Sequence, residues 1–112
     1  MSPLEKRRKA RESKVEAGGH VFVVTRPQPG AVLGMAGAND LDVIRRFVVG
    51  WGPDMTELAL DLPGGTDAPV AFDAELFADW LNDHPEVWAP LTAGISNAYK
   101  AFESAREAAE KN

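Results

Sequence analysis

The chain has 112 residues, a net charge of −5 and no cysteine. This length suits a single hydrophobic core, and the lack of cysteine excludes disulfides, thiolate metal sites and thiol nucleophiles. No apolar run approaches the roughly 20 residues that span a bilayer, and the basic start has no apolar leader behind it. We therefore expect a soluble, cytoplasmic protein that does not associate with membranes.

Charge is distributed unevenly along the chain. The first 14 residues carry six basic and two acidic side chains, a balance of +4, whereas the other 98 carry six basic and fifteen acidic ones, a balance of −9. A body of that sign repels polyanions, so only the basic start could meet nucleic acid. We divide the chain into a basic N-terminal arm or helix, residues 1–19, and a single helical domain, residues 20–112.

The first predicted element is a helix over about residues 3–16. Ser2 suits the N-cap and Pro3 the first helical position, and Gly18-Gly19 supplies an end. Its basic side chains are candidate contacts for a polyanion or an acidic partner: Lys6, Arg7, Arg8, Lys9, Arg11 and Lys14. Because no aromatic residue is interleaved for base stacking, we favour an acidic protein partner or solvation over nucleic acid.

A strand follows the two glycines. His20 to Arg26 is rich in β-branched and aromatic residues, and Pro27 ends the strand by removing a backbone donor. The nearest extended partner is Ala68 to Phe72, which predicts a two-stranded ribbon. The glycine-rich segment 31–38 is a poor helix former.

Two amphipathic helices are predicted next. Asn39 caps the first, whose apolar residues recur at helical spacing as far as Trp51. Asp73 caps the second, and Phe72 and Phe77 can form a hydrophobic staple around that start.

The last helix is the longest. His84-Pro85 separates it from the preceding helix, and its apolar stripe runs from Trp88 to Phe102 before continuing only as alanine. Residues 103–112 are therefore expected to project from the body. The whole pattern predicts a mainly α fold: a small helical domain with a short two-stranded β-ribbon and a basic N-terminal helix or arm.

No reactive constellation is recognisable. His20 and His84 are 64 positions apart with no metal-ligand spacing around either, and the carboxylates follow the polar faces of predicted helices. Gly64-Gly65 lacks the lysine of a phosphate loop, and Ser96 and Ser104 lack nucleophile-elbow glycines. We predict a binding protein rather than an enzyme, with no catalytic residue, metal or cofactor.

Several segments resemble the tail assembly chaperones of long-tailed bacteriophages. They are Phe47-Val48-Val49-Gly50-Trp51, Pro69-Val70-Ala71-Phe72-Asp73, Leu76 to Leu81 and the closing helix through Ala98-Tyr99. The resemblance runs from about residue 20 to 112, and neither the arm nor the 30–38 segment matches it. It implies a protein that binds the tape measure protein in the bacterial host cytoplasm and protects its apolar segments during tail assembly.

That resemblance also implies partners. The tape measure protein is the expected client, and the major tail protein and a homo-oligomer are further candidates. An acidic body with apolar helix faces can cover an amphipathic client helix and stay in solution. The candidate partner-binding residues are Trp88, Leu91, Ile95, Tyr99, Phe102 and Trp51. The alternative is a nucleic-acid-associated protein or a structural tail or head protein that uses the basic arm.

Overall fold

The computed structural model describes residues 1–111. Its elements are α1 (Pro3–Ala10), β1 (Glu12–Ala17), β2 (His20–Thr25), α2 (Pro29–Leu33), α3 (Asp40–Phe47), β3 (Val48–Trp51), α4 (Ala74–Asn82), a 3-10 turn (Pro85–Val87) and α5 (Trp88–Lys111). Helices hold 51% of the residues and strands 16%, so the protein has an α+β fold. The mainly helical fold with a two-stranded ribbon is therefore wrong. Asn112, the last residue of the predicted domain 20–112, lies outside the described residues.

The helix predicted over residues 3–16 is cut short because β1 forms a hairpin with β2. Gly18 and Gly19 have φ angles of 59° and 82°, the two left-handed residues that a tight hairpin turn requires. Six residue pairs of the two strands are in antiparallel register. The glycines thus reverse the chain between two strands instead of ending a helix, and the boundary drawn at residue 19 falls within this turn.

The helix predicted after Asn39 also ends early. It stops at Phe47, and Val48–Trp51 pairs antiparallel with β2, which gives a three-stranded sheet in the order β1-β2-β3. Ala68 to Phe72 is not the partner of β2; it makes one isolated bridge, between Thr56 and Pro69. The predicted ribbon had the right central strand and the wrong neighbour.

The predicted starts of α3 and α4 are confirmed by their caps. The side chain of Asn39 accepts a hydrogen bond from Asp42 N at 2.9 Å, and that of Asp73 accepts one from Leu76 N at 2.9 Å. Each cap satisfies a backbone donor that the first helical turn leaves unpaired. The closing helix is confirmed as well, from Trp88 onward.

A single core lies between the sheet and helices α3, α4 and α5. Phe22 and Val24 of β2 are fully buried in it. The helices contribute Ile44, Phe47, Phe77, Trp80, Leu81, Leu91 and Ile95. None of the helices within residues 1–111 is both long and apolar enough to cross a membrane.

The loop between β3 and α4 covers the aromatic end of this core. Two indole N–H groups fasten it: Trp51 donates to Val70 O at 2.7 Å, and Trp80 donates to Ala59 O at 3.0 Å. Met55, a residue of this loop, is fully buried. A segment with little regular secondary structure is therefore held in place by side chains of the sheet and of α4.

Candidate partner-binding surface

An apolar groove opens between the segment after β2, α3 and the middle of α5. Its volume is about 250 Å³, and its apolar lining consists of Pro27, Val32, Met35, Val43, Ile95 and Tyr99. Two hydroxyls, of Thr92 and Ser96, also line it. The Thr92 hydroxyl oxygen is buried and has no hydrogen-bond partner within residues 1–111. We call this feature the apolar groove.

The structure separates the six residues predicted to bind a partner, Trp88, Leu91, Ile95, Tyr99, Phe102 and Trp51. Ile95 and Tyr99 line the groove, and the other four do not; Leu91 and Ile95 are core residues. Trp51 and Trp88 are half-buried, and each indole donates to a main-chain carbonyl at 2.7 Å. Tyr99 and Phe102 are half-exposed neighbours with ring centroids 6.3 Å apart. Of the predicted set on α5, Trp88, Tyr99 and Phe102 are therefore partly accessible, whereas Leu91 and Ile95 are buried.

Two arginine side chains lie near the ring of Phe102. The guanidinium carbon of Arg26 lies 3.7 Å from the centroid of the Phe102 ring, and that of Arg106 lies 5.5 Å away. Both distances allow a cation–π interaction. Beyond this ring, residues 104–110 of α5 are all exposed, as the alanine-only stripe predicts.

The six basic residues of the arm occupy two different elements. Lys6, Arg7, Arg8 and Lys9 lie on α1 and Arg11 at its C-cap, while Lys14 is an exposed residue of β1. No residue of α1 is buried. Arg26 adds to this charge: burial lowers its pKa first, and the nearby charges of Arg11 and Arg7 lower it further.

The two histidines approach the same indole but form no metal site. The ring of His84 stacks on Trp80 at a centroid distance of 4.1 Å, and His20 meets the same indole edge-on at 6.2 Å. His84 bridges two carboxylates, with Nε2 2.8 Å from Asp61 and Nδ1 2.7 Å from Glu86. No group of three or more ligands suited to a metal ion exists in the described chain.

This bridge predicts a pH-dependent stability. Burial lowers the pKa of His84, but its hydrogen bonds to Glu86 and Asp61 outweigh burial, so the net pKa is raised. A pKa raised by folding contributes stability that is complete below the unfolded value of about 6.5 and is lost as pH rises through the folded value. We expect the free energy of unfolding, measured with urea, to fall more steeply as pH rises above about 6.5 in the natural protein than in His84→Gln. Equal slopes would contradict this role.

Sequence reasoning missed the residues that form most of the groove. Val32 lies in α2 and Met35 just after it, within the glycine-rich segment that the family resemblance does not cover. Val43 lies on α3. The sequence did contain a signal for these residues. Apolar side chains occur there among glycines and alanines, in a segment that is a poor helix former.

Comparison with known proteins gives no assignment. The chain matches no protein-family model, and the searches of characterised proteins and of solved structures found no significant relative.

Proposed function

We propose that the protein is a non-catalytic tail assembly chaperone of a long-tailed bacteriophage, which binds the tape measure protein in the cytoplasm of the bacterial host. The apolar groove beside α5 carries the proposal. Val32 is accessible at the groove, whereas Ile95 is buried beneath it. An accessible apolar recess with a buried lining is suited to receive a side chain from another protein.

The dimensions of the groove favour a helical client over a small ligand. A volume of about 250 Å³ lies below the roughly 300–1,000 Å³ of most ligand pockets, and it suits one or two anchor side chains. An amphipathic helix presents such anchors three or four residues apart. Tyr99 and Phe102, also three apart on α5, would extend the contact. The major tail protein is a second candidate client for the same surface.

Co-expression of the protein with a tape measure protein tests the proposal. Val32→Glu places a carboxylate at the groove, and we expect it to weaken the complex about tenfold or more, because an unpaired charge resists burial. Leu58→Glu is the matched control, since Leu58 is also an exposed apolar residue, at 56% exposure, but does not line the groove. The measurements are client solubility and recovery of the complex by gel filtration.

The expected pattern is a soluble complex with the natural protein and with Leu58→Glu, and loss of the complex with Val32→Glu. A client whose solubility is unchanged by co-expression would exclude the chaperone function. Equal weakening by both variants would show that binding does not use the groove.

A nucleic-acid-associated or structural virion protein is the second candidate, favoured by the charge on α1. Its basic residues would neutralise phosphates in a salt-dependent, sequence-independent manner. The natural chain should then bind duplex DNA, and deletion of residues 1–10 should abolish binding while leaving the strands intact. A structural virion protein would instead assemble into rings or tubes at high concentration.

A further inference from the structure

No residue of the helix α1 is buried against the rest of the described chain. It has only eight residues, Pro3–Ala10, all of them exposed. Isolated helices shorter than about 12–15 residues are marginal in water, because nucleation is unfavourable. The cap from Ser2 aids its start, but no apolar face is covered. A surface that docks against α1 would therefore stabilise it.

The basic side chains near α1 lack neutralising partners. No ion pair found in residues 1–111 involves Arg7, Arg8, Arg11 or Arg26. Arg7 and Arg11 are one helical turn apart, and both act as like charges on Arg26. The surface formed by residues 6–11 and Arg26, which we call the basic end, thus carries repulsion that a set of carboxylates would relieve.

The complementary charge lies further along the same chain. From residue 47 to residue 99 the sequence has nine acidic residues and no lysine or arginine. Three of them recur every four residues and are exposed: Glu75 and Asp79 on α4, and Asp83 at its C-cap. Like charges at this spacing repel each other on a helix, and no ion pair within residues 1–111 involves any of these three carboxylates, which we call the carboxylate stripe.

The hairpin keeps these two surfaces apart within one molecule. Arg11 O accepts from Arg26 N at 2.8 Å, which places α1 at the open end of the hairpin. Two residues of the acidic run 47–99 lie at the turn end of the hairpin. Asp54 Oδ2 is 3.2 Å from His20 Nδ1, and Val87 lies against Gly18. Six strand residues separate the two ends, about 17 Å.

We propose that the basic end of one copy docks on the carboxylate stripe of a second copy, head to tail. Each copy then keeps one open surface of each kind, and such a contact builds a ring or an open chain instead of a closed pair. Nucleic acid is the competing occupant of the basic end, but the acidic segment repels it. The contact does not depend on the proposed client or on the apolar groove.

Charge-reversed variants of the full chain test this contact by sedimentation velocity. Lys6→Glu, Arg7→Glu, Arg8→Glu and Lys9→Glu together change the charge of the basic end from +6 to −2, and Asp79→Lys with Asp83→Lys changes that of the stripe from −3 to +1; all six side chains are exposed. We expect the natural protein to associate at about 0.01 M salt and to dissociate at about 1 M, where the Debye length falls from about 30 to about 3 Å. In each variant alone, the dissociation constant for self-association should rise about tenfold or more, because surfaces of like charge then face each other.

Mixing the two variants is the decisive step. The reversed basic end of one then faces the reversed stripe of the other, so association should return in the mixture with equal amounts of each. A natural protein that stays monomeric at low salt, or a mixture that fails to associate although both variants keep the natural circular dichroism, would overturn the proposal. Duplex DNA binding by a monomeric natural protein would also overturn it and assign the basic end to nucleic acid.

Discussion

Replacement of Trp80 by alanine should lower the free energy of unfolding by about 3–5 kcal/mol. Trp80 is 4% exposed and packs against Phe22, with ring centroids 6.0 Å apart, and against Phe77 at 6.4 Å. Its indole N–H also holds the β3–α4 loop through Ala59 O. Truncation would leave a cavity beside the central strand, remove the ring on which His84 stacks and leave that carbonyl without its donor.

Urea unfolding at constant pH and temperature measures this loss. Trp80→Phe keeps an aromatic ring but not the N–H donor, so its cost should fall between those of the natural residue and alanine. Leu58→Ala is the control for an exposed apolar side chain and should stay within about 0.5 kcal/mol of the natural protein. A cost below about 1 kcal/mol for Trp80→Ala would show that this indole does not fill the core.

The elements that the sequence predicts well are those specified by neighbouring residues. Asn39 and Asp73 cap their helices by accepting hydrogen bonds from backbone N–H groups only three residues further along the chain. The short sequence pattern that predicts each cap therefore contains both hydrogen-bonding residues. The strand from His20 and the break at His84-Pro85 are equally local, because side-chain branching and the missing proline donor act at the residue itself.

The elements that the sequence predicts poorly depend on distant residues. Glu12–Ala17 carries three charged residues and a good helix start precedes it, yet pairing with β2 makes it a strand. Val48–Trp51 continues the apolar spacing of α3, but β2 offers it an open sheet edge. In both cases tertiary pairing overrides local preference, and the assignment of Gly18-Gly19 to a hairpin turn becomes clear only once both strands are known.

The same difference between local and distant residues decides which residues of the candidate site the sequence predicts. Tyr99 and Phe102 belong to the partner-binding set predicted on the closing helix, and both are partly exposed. Val32 and Met35 come from a segment with little periodicity, and only the fold brings them to Ile95. Helical spacing also could not show which side of α5 faces the core, so the predicted partner-binding set includes Leu91 although it is fully buried.

Gly94 shows how closely α5 approaches the sheet, and its replacement by alanine should have a large effect on stability. A Cβ atom at this position would lie 2.5 Å from Val15 Cγ2 and 2.7 Å from Val15 Cγ1. Valine is stiff at χ1, so Val15 cannot easily turn away. Alanine normally stabilises a helix interior by about 0.5–1 kcal/mol relative to glycine, but overpacking costs about 1–3 kcal/mol. Gly94→Ala should therefore destabilise the protein.

A double-mutant cycle isolates the cause. Val15→Ala removes both methyl groups that meet the new Cβ, so Gly94→Ala should become neutral or stabilising in that background, with a coupling energy on the order of 1 kcal/mol or more. Gly30→Ala is the control, because Gly30 lies in α2 and a Cβ atom there would meet nothing within 4 Å, so the substitution should not destabilise the protein. If Gly94→Ala costs the same with and without Val15, the strain does not arise where α5 crosses β1. The pairing of β1 in the sheet thus gives a reason for a glycine in the second turn of the longest helix, since it places Val15 where a methyl group on residue 94 would lie.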